Sequence, residues 1–158
     1  MSPIRVRPAT KADREFFDQI EFQTTWESLD PLDRDQMTPE LVRAALKETH
    51  SVLLERTGNQ VFVAETEAGE QVGLLWFGVN RNLVSGESEA WIYNVTVLPG
   101  HQGQGIGRLL LEHAERLARE GGFDRLGLMV SAHNHRARHL YERFGFHTTN
   151  LLLRKPVE

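Results

Sequence analysis

Four of the 13 glycines, Gly100, Gly103, Gly105 and Gly107, crowd into one short stretch. It lies between an apolar run that stops at Leu98 and Pro99 and a helical stripe of Ile106, Leu109, Leu110, His113, Ala114 and Leu117. A turn at such a strand-to-helix junction points several backbone N–H groups at one spot, and the helix dipole adds positive potential. Glycine also lets a ligand approach the main chain with no side chain in the way. The expected ligand is a phosphate or pyrophosphate. A Walker loop fails, because Ile106 and Gly107 follow Gly105 where a lysine and a hydroxyl residue are required. The dinucleotide fingerprint G-x-G-x-x-G also fails: its third glycine falls on Arg108 or Leu110.

Other residues able to do chemistry lie on both sides of this loop. Tyr141 offers a phenol, Glu87 and Glu89 offer carboxylates at the head of a strand, and His133, His135 and His139 form H-x-H-x3-H. Two histidines at i, i+4 can share a metal. With no cysteine and no carboxylate pattern beside them, no metal site is expected. Trp26, Glu27, Asp30 and Asp33 put an aromatic among carboxylates, which suits a cationic amine or forms a solvated acidic loop. Trp26, Trp76 and Trp91 line a cleft or fill the core.

These groups must be carried by a definite set of elements. Alternation at 3–7 predicts a first strand. Thr10 and Asp13 read as a capping box before a helix bearing Phe16, Phe17 and Ile20. Thr38, Pro39 and Glu40 start a second helix with Leu41, Val42, Ala45 and Leu46 on its apolar face. The period then changes to two. Strands are predicted from Gln60, over 72–79 and over 90–97, with turns at 67–70 and 80–88. After the glycine loop come a helix closed by Gly121 and Gly122, a strand over 125–130, a helix through Phe144 and a last strand over 147–153. The order β-α-α-β-β-β-α-β-α-β implies an α/β (α+β) chain with a mixed, mostly antiparallel sheet flanked by about four helices.

Length and composition narrow the class. The 158 residues suit a single domain, and 40% hydrophobic with 25% charged residues is ordinary for a globular protein. No apolar run approaches the roughly 20 residues of a membrane helix. Arg5, Arg7 and Pro8 interrupt any signal-like core at 1–10, and cysteine is absent, so a cytoplasmic location is expected. A net charge of −4 speaks against nucleic acid as a partner. No membrane partner is expected either.

Two blocks then point to a family. Gln102-Gly103-Gln104-Gly105-Ile106-Gly107 matches Q/R-x-x-G-x-G/A, and the stretch from Asn134 to Phe146 matches N-x-x-A-x-x-L-Y-x-x-x-G-F at every fixed position. In these blocks, and in the order of its elements, the chain resembles the GNAT superfamily of acyl-CoA-dependent N-acetyltransferases. The resemblance implies that 102–107 binds the pyrophosphate of acetyl-CoA through main-chain N–H groups. Arg108 then either assists a phosphate oxygen or is an exposed first-turn arginine. It implies that the preceding strand pairs with the pantetheine arm, setting Val95, Thr96 and Val97 beside the cosubstrate. A main-chain N–H near Asn94 or Val95 would polarise the thioester carbonyl. Tyr141 matches the family's general acid to the CoA thiolate. Asn134 bonds the pantetheine, caps its helix, or does both, whereas Ala137, Leu140 and Phe144 read as core. For the general base Glu89 is the first candidate, with Glu87 or a water chain as alternatives.

The function implied is acetyl transfer from acetyl-CoA to a primary amine, small-molecule or peptide. Acetylation of a protein N-terminus or lysine, and a non-catalytic acyl-CoA sensor, remain as alternatives. The resemblance places the acceptor opposite the cosubstrate, over the first helices and the 80–88 turn. Only 12 residues follow Phe146, room for one closing strand, so a homodimer that covers the exposed sheet edge is expected.

Overall fold

The computed structural model describes residues 3–158; Met1 and Ser2, at the start of the 1–10 segment, lie outside them. Its elements are β1 (Ile4–Pro8), α1 (Arg14–Ser28), a short α2 (Pro31–Arg34), α3 (Pro39–Leu53), β2 (Gln60–Thr66), β3 (Gln71–Arg81), β4 (Ser88–Val97), α4 (Ile106–Glu120), β5 (Leu126–Leu128) and α5 (His135–Phe144). Single 3-10 turns occupy Lys11–Asp13 and Pro99–His101. The five strands form one open sheet in sequence order. The β1, β2, β3 and β4 pairings are antiparallel, and β4 with β5 is parallel. This is the mixed, mostly antiparallel α/β architecture expected.

Local chemistry accounts for most boundaries. The Asp13 carboxylate accepts the Thr10 N–H at 2.7 Å and takes both terminal nitrogens of Arg7, at 2.8 and 2.9 Å. Arg7 also donates to Glu65 at 2.8 Å, so one guanidinium ties β1, the entry to α1 and β2 together. Thr38 caps α3 by accepting from Leu41 N–H at 3.2 Å. On α3 the expected apolar face is borne out in part: Val42 is buried and Leu46 half-buried, whereas Leu41 and Ala45 face solvent and His50 turns inward. Three i, i+4 Arg–Glu pairs clothe the outer face of α4, and Ile106, Leu110, Leu111, Ala114 and Ala118 are buried.

Two apolar clusters sandwich the sheet. Phe62, Leu75, Phe77, Ile92, Leu110 and Leu111 lie on the side of α4 and α5. Phe16, Phe17, Ile20, Val63, Leu74 and Trp76 lie on the side of α1. Trp76 is therefore core, with its indole N–H donating to Asn59 at 2.8 Å.

The final strand expected over 147–153 is absent; residues 147–158 carry no regular structure. Leu151, Leu152 and Leu153 are exposed, and the next residue, Arg154, pairs with Asp33 at 2.7 Å and Asp30 at 3.4 Å. The physical reason lies in β5. With three residues it offers too short an edge for a further strand of seven to pair along, so alternation at 147–153 finds no ladder.

Candidate active site

The site begins with an irregularity in β4. Trp76 faces Asn94 while Phe77 faces Ile92, which leaves Tyr93 as an extra, bulged residue. Before it, Ala90 and Ile92 face the α4 side. After it, Val95 and Val97 take that side, and Asn94 and Thr96 turn to α1. Strand β5 pairs with β4 only at Ala90, Trp91 and Ile92. Beyond that point the two strands part, and among the described residues no strand lies beside 93–97 on the β5 side.

Which main-chain groups face this opening follows from two hydrogen bonds. Leu98 N–H donates to Val72 C=O at 2.9 Å, and Gln102 donates to Val97 C=O at 3.1 Å. Alternation then turns Asn94, Thr96 and Leu98 toward β3, and Val95 and Val97 toward the opening. Of the two N–H groups considered from sequence, Val95 is the one that faces it.

The opening ends on the glycine loop. Gly103 and Gly105 have φ of 78° and 84°, left-handed conformations that favour glycine, and a Cβ on either would meet open space. Gly105 is the N-cap of α4, and the first intrahelical bond is Leu109 N–H to Gly105 C=O at 3.0 Å. The amides of Ile106, Gly107 and Arg108 are therefore the orphan donors of the first turn, aimed out of the helix end. Gly107 serves packing instead. A Cβ there would come within 3.1 Å of Leu140 and 3.8 Å of Val97, so its absence lets α4, α5 and β4 pack closely. Arg108 pairs with Glu112 at 3.0 Å on the exposed side of α4.

The second block builds α5 and its end. Asn134 caps the helix, its Oδ1 accepting from Ala137 N–H at 3.2 Å. Gly145, with φ of 111°, reverses the chain so that Phe146 N–H donates to Tyr141 C=O at 2.9 Å. The Phe146 ring thereby packs on Tyr141, 5.8 Å between centroids. Burial alone pushes the Tyr141 phenol up to about 12.

The carboxylates considered as bases sit at the far end of β4. Glu89 shares a face with Tyr93, on the side of α1, and accepts from Asn82 at 3.4 Å. Five residues separate it from Asn94, about 17 Å along the strand. Glu87 is exposed in the turn. Asp30 caps α2 and, with Asp33, already holds Arg154, so these two carboxylates carry their own cation. Trp26 stacks on Phe22 at 6.1 Å, and Trp91 lies over Gly127, where a Cβ would come within 2.6 Å of its ring. Among the described residues no cluster of three or more metal-ligating side chains occurs, and His133 bonds the Glu27 carbonyl at 2.9 Å.

Helix α1 walls the opening from the other side. A cleft of about 50 Å³ lies between Thr24 and Glu27 of α1 and Thr96, Leu98 and Gln102. Behind it runs a polar chain that sequence reading missed. Buried Glu21 accepts from buried His50 across 2.8 Å and from Asn94 Nδ2; Asn94 also donates to Thr24 at 3.0 Å and accepts from Thr96 at 2.6 Å. The signal was present: Glu21 falls beside Phe17 and Ile20 on the buried face of α1, and His50 falls two turns after Val42 on the buried line of α3.

A parted strand pair that ends on the orphan amides of a helix has the shape and the donors that an extended, phosphate-bearing ligand requires. The model of the GNAT acetyltransferase family matches residues 21–146, and the chain belongs to that family. It is 36% identical over 91 residues to the uncharacterized N-acetyltransferase YdgE of Bacillus subtilis, covering 58% of this chain and 57% of that one. Against the mycothiol acetyltransferase of Propionibacterium freudenreichii it is 37% identical over 86 residues, covering 54% of this chain but only 27% of the other. The matches thus span from about a quarter to just over half of these relatives' lengths. A solved structure described as a putative acetyl transferase from Pyrococcus furiosus superposes with a TM-score of 0.83, at 25% identity over 98% of this chain and 100% of that one. No helix among the described residues is long and apolar enough to cross a membrane.

Proposed function

We propose that this protein is an N-acetyltransferase that moves an acetyl group from acetyl-CoA directly to a primary amine, with Tyr141 serving the departing thiolate. The observation that carries the reading is the opening between β4 and β5. It offers outward main-chain groups at Val95 and Val97 and ends on the free amides of Ile106, Gly107 and Arg108. An extended arm can pair with the strand edge while its pyrophosphate takes the helix N-terminus. Gln102, Gly103, Gln104 and Gly105 shape the turn around that phosphate, and no metal is needed to hold it.

In the reaction the neutral amine attacks the thioester carbonyl, whose oxygen gains charge toward the Val95 N–H. The C–N bond forms, the C–S bond breaks, and the sulfur leaves as a thiolate toward the Tyr141 hydroxyl. The proton lost by the amine passes to Glu89 through water, since about 13 Å of strand separates Glu89 from the bulge at Tyr93. The Asn134 amide oxygen is committed to its helix, so its share in binding is to position α5.

The acceptor is a small amine or a peptide amine. The mycothiol acetyltransferase match supports the former. A cysteine-free chain gains nothing from an oxidising compartment, which supports a cytoplasmic location. The free β5 edge and exposed Leu151, Leu152 and Leu153 support a homodimer, for which light scattering at high concentration must give twice the chain mass.

Calorimetric titration with acetyl-CoA, using ATP and NAD as controls, tests the reading. Selective binding is expected, with about 2.7 kcal/mol of added stability at a hundred times the dissociation constant. CoA release with a panel of alkyl amines, amino sugars and free N-terminal peptides then separates the acceptor classes. Selective binding without release across the panel would favour the sensor reading, and no binding of acetyl-CoA would overturn the assignment.

A further inference from the structure

The buried Glu21–His50 pair has no part in the chemistry above. Both groups are more than nine-tenths buried, and His50 lies against Phe17 at 5.2 Å and Trp76 at 5.6 Å. Their outlet is Asn94. A carboxylate only accepts hydrogen bonds, so Glu21 Oε2 requires the Asn94 NH2 to face it. That choice leaves Asn94 Oδ1 facing Thr96, whose single hydroxyl hydrogen is donated to it at 2.6 Å. The Thr24 hydroxyl hydrogen goes to the Ile20 carbonyl at 2.9 Å. Both threonines line the cleft between α1 and the end of β4. With their hydrogens turned inward, they present only lone pairs to it.

We infer that Glu21 is a positioning residue: acting through Asn94, it holds the Thr96 hydroxyl as an acceptor for an amide N–H of the pantetheine arm. This rests on the acetyl-CoA reading. The choice of ligand follows from place, since Thr96 lies between the bulge and Leu98, on the stretch of β4 that leads to the loop at Gln102. Phosphates bring acceptors, which this wall would repel, whereas the arm of CoA brings two amide N–H groups.

Glu21→Gln reverses the polarity. The glutamine keeps its oxygen toward His50 and turns its NH2 toward Asn94, which flips. Asn94 Nδ2 then faces Thr96, and the Thr96 hydrogen rotates into the cleft. The test is calorimetry with acetyl-CoA and, as a probe lacking the arm, adenosine 3′-phosphate 5′-diphosphate. Glu21→Gln and Thr96→Val should each raise the acetyl-CoA Kd about tenfold, the usual scale for one lost hydrogen bond, and leave the nucleotide Kd unchanged. In the Thr96→Val background Glu21→Gln should add nothing, because its effect passes through that hydroxyl. Equal losses for both probes, additive losses in the double variant, or an unchanged acetyl-CoA Kd would each overturn the proposal. If Glu21→Gln does not fold, the near-isosteric Thr96→Val against Thr96→Ser decides: weaker acetyl-CoA binding by valine alone supports it, and equal binding refutes it. A wild-type protein that does not bind acetyl-CoA, whether or not it binds the nucleotide, would refute the acetyl-CoA reading first; one that binds both, with neither variant changing the acetyl-CoA Kd, would refute the positioning role alone.

Discussion

Replacing Tyr141 by phenylalanine removes one oxygen and leaves the ring packing on Phe146 intact. Raising the phenol from 10.0 to about 12 disfavours its phenolate by about 2.7 kcal/mol. Against a thiolate near 8.5, complete proton transfer from such a phenol is uphill by about 5 kcal/mol. The proposed mechanism therefore requires Tyr141 to act on the leaving sulfur as a hydrogen-bond donor, with free thiol forming only as solvent returns. A hydrogen bond to a charged group contributes about 1.5–3 kcal/mol, so Tyr141→Phe should lower kcat roughly 10- to 100-fold with the KM for acetyl-CoA unchanged. The assay is CoA release followed with a thiol reagent from pH 6 to 10, where a cysteine-free protein adds no background. Within that range the phenol stays protonated, so wild type and variant should share the shape of their pH profiles. Above pH 10 the unfolded chain loses the phenolic proton before the folded one. Wild-type stability should then fall between about pH 10 and 12 by up to about 2.7 kcal/mol, a fall the variant lacks. An unchanged kcat would refute the donor role. An alkaline limb below pH 10 that disappears in the variant would refute the argument from burial.

The two kinds of glycine in the loop should separate in experiment. Gly105→Ala, at a left-handed position in open space, costs about 1–2 kcal/mol of stability and should weaken acetyl-CoA binding. Gly107→Val drives a side chain into Leu140 and should cost about 1–3 kcal/mol by overpacking, read as a drop in melting temperature before any ligand is added. Arg7→Met leaves the buried Asp13 carboxylate without its guanidinium and should cost about 3 kcal/mol by urea unfolding at pH 7. Because Arg7 holds Asp13 well below the usual carboxylate range, that contribution is present above about pH 4 and is lost as pH falls below it. The difference between wild type and variant should therefore narrow at pH 3.

Periodicity located the three middle strands and the helix after the loop, because burial on one face imposes the 2.0 and 3.6 repeats directly, and the clustered glycines marked the loop itself. The two motif blocks were legible for the same local reason. Gly103 and Gly105 need left-handed backbone, Asn134 caps a helix, and Gly145 turns Phe146 back onto Tyr141. Other features depend on residues distant in sequence. The strand expected over 147–153 has the right alternation but no ladder to join, since β5 stops after three residues. The bulge at Tyr93, which gives Asn94 and Thr96 to α1 and Val95 and Val97 to α4, arises from register against β3. Asp30 and Asp33 looked available to a cationic amine, yet Arg154 reaches them from more than a hundred residues away. Glu21, His50 and Asn94 come together only when α1 and α3 close over β4. A sequence records which residues can cap, turn or be buried; which buried polar groups meet is decided when separate elements pack and must satisfy one another.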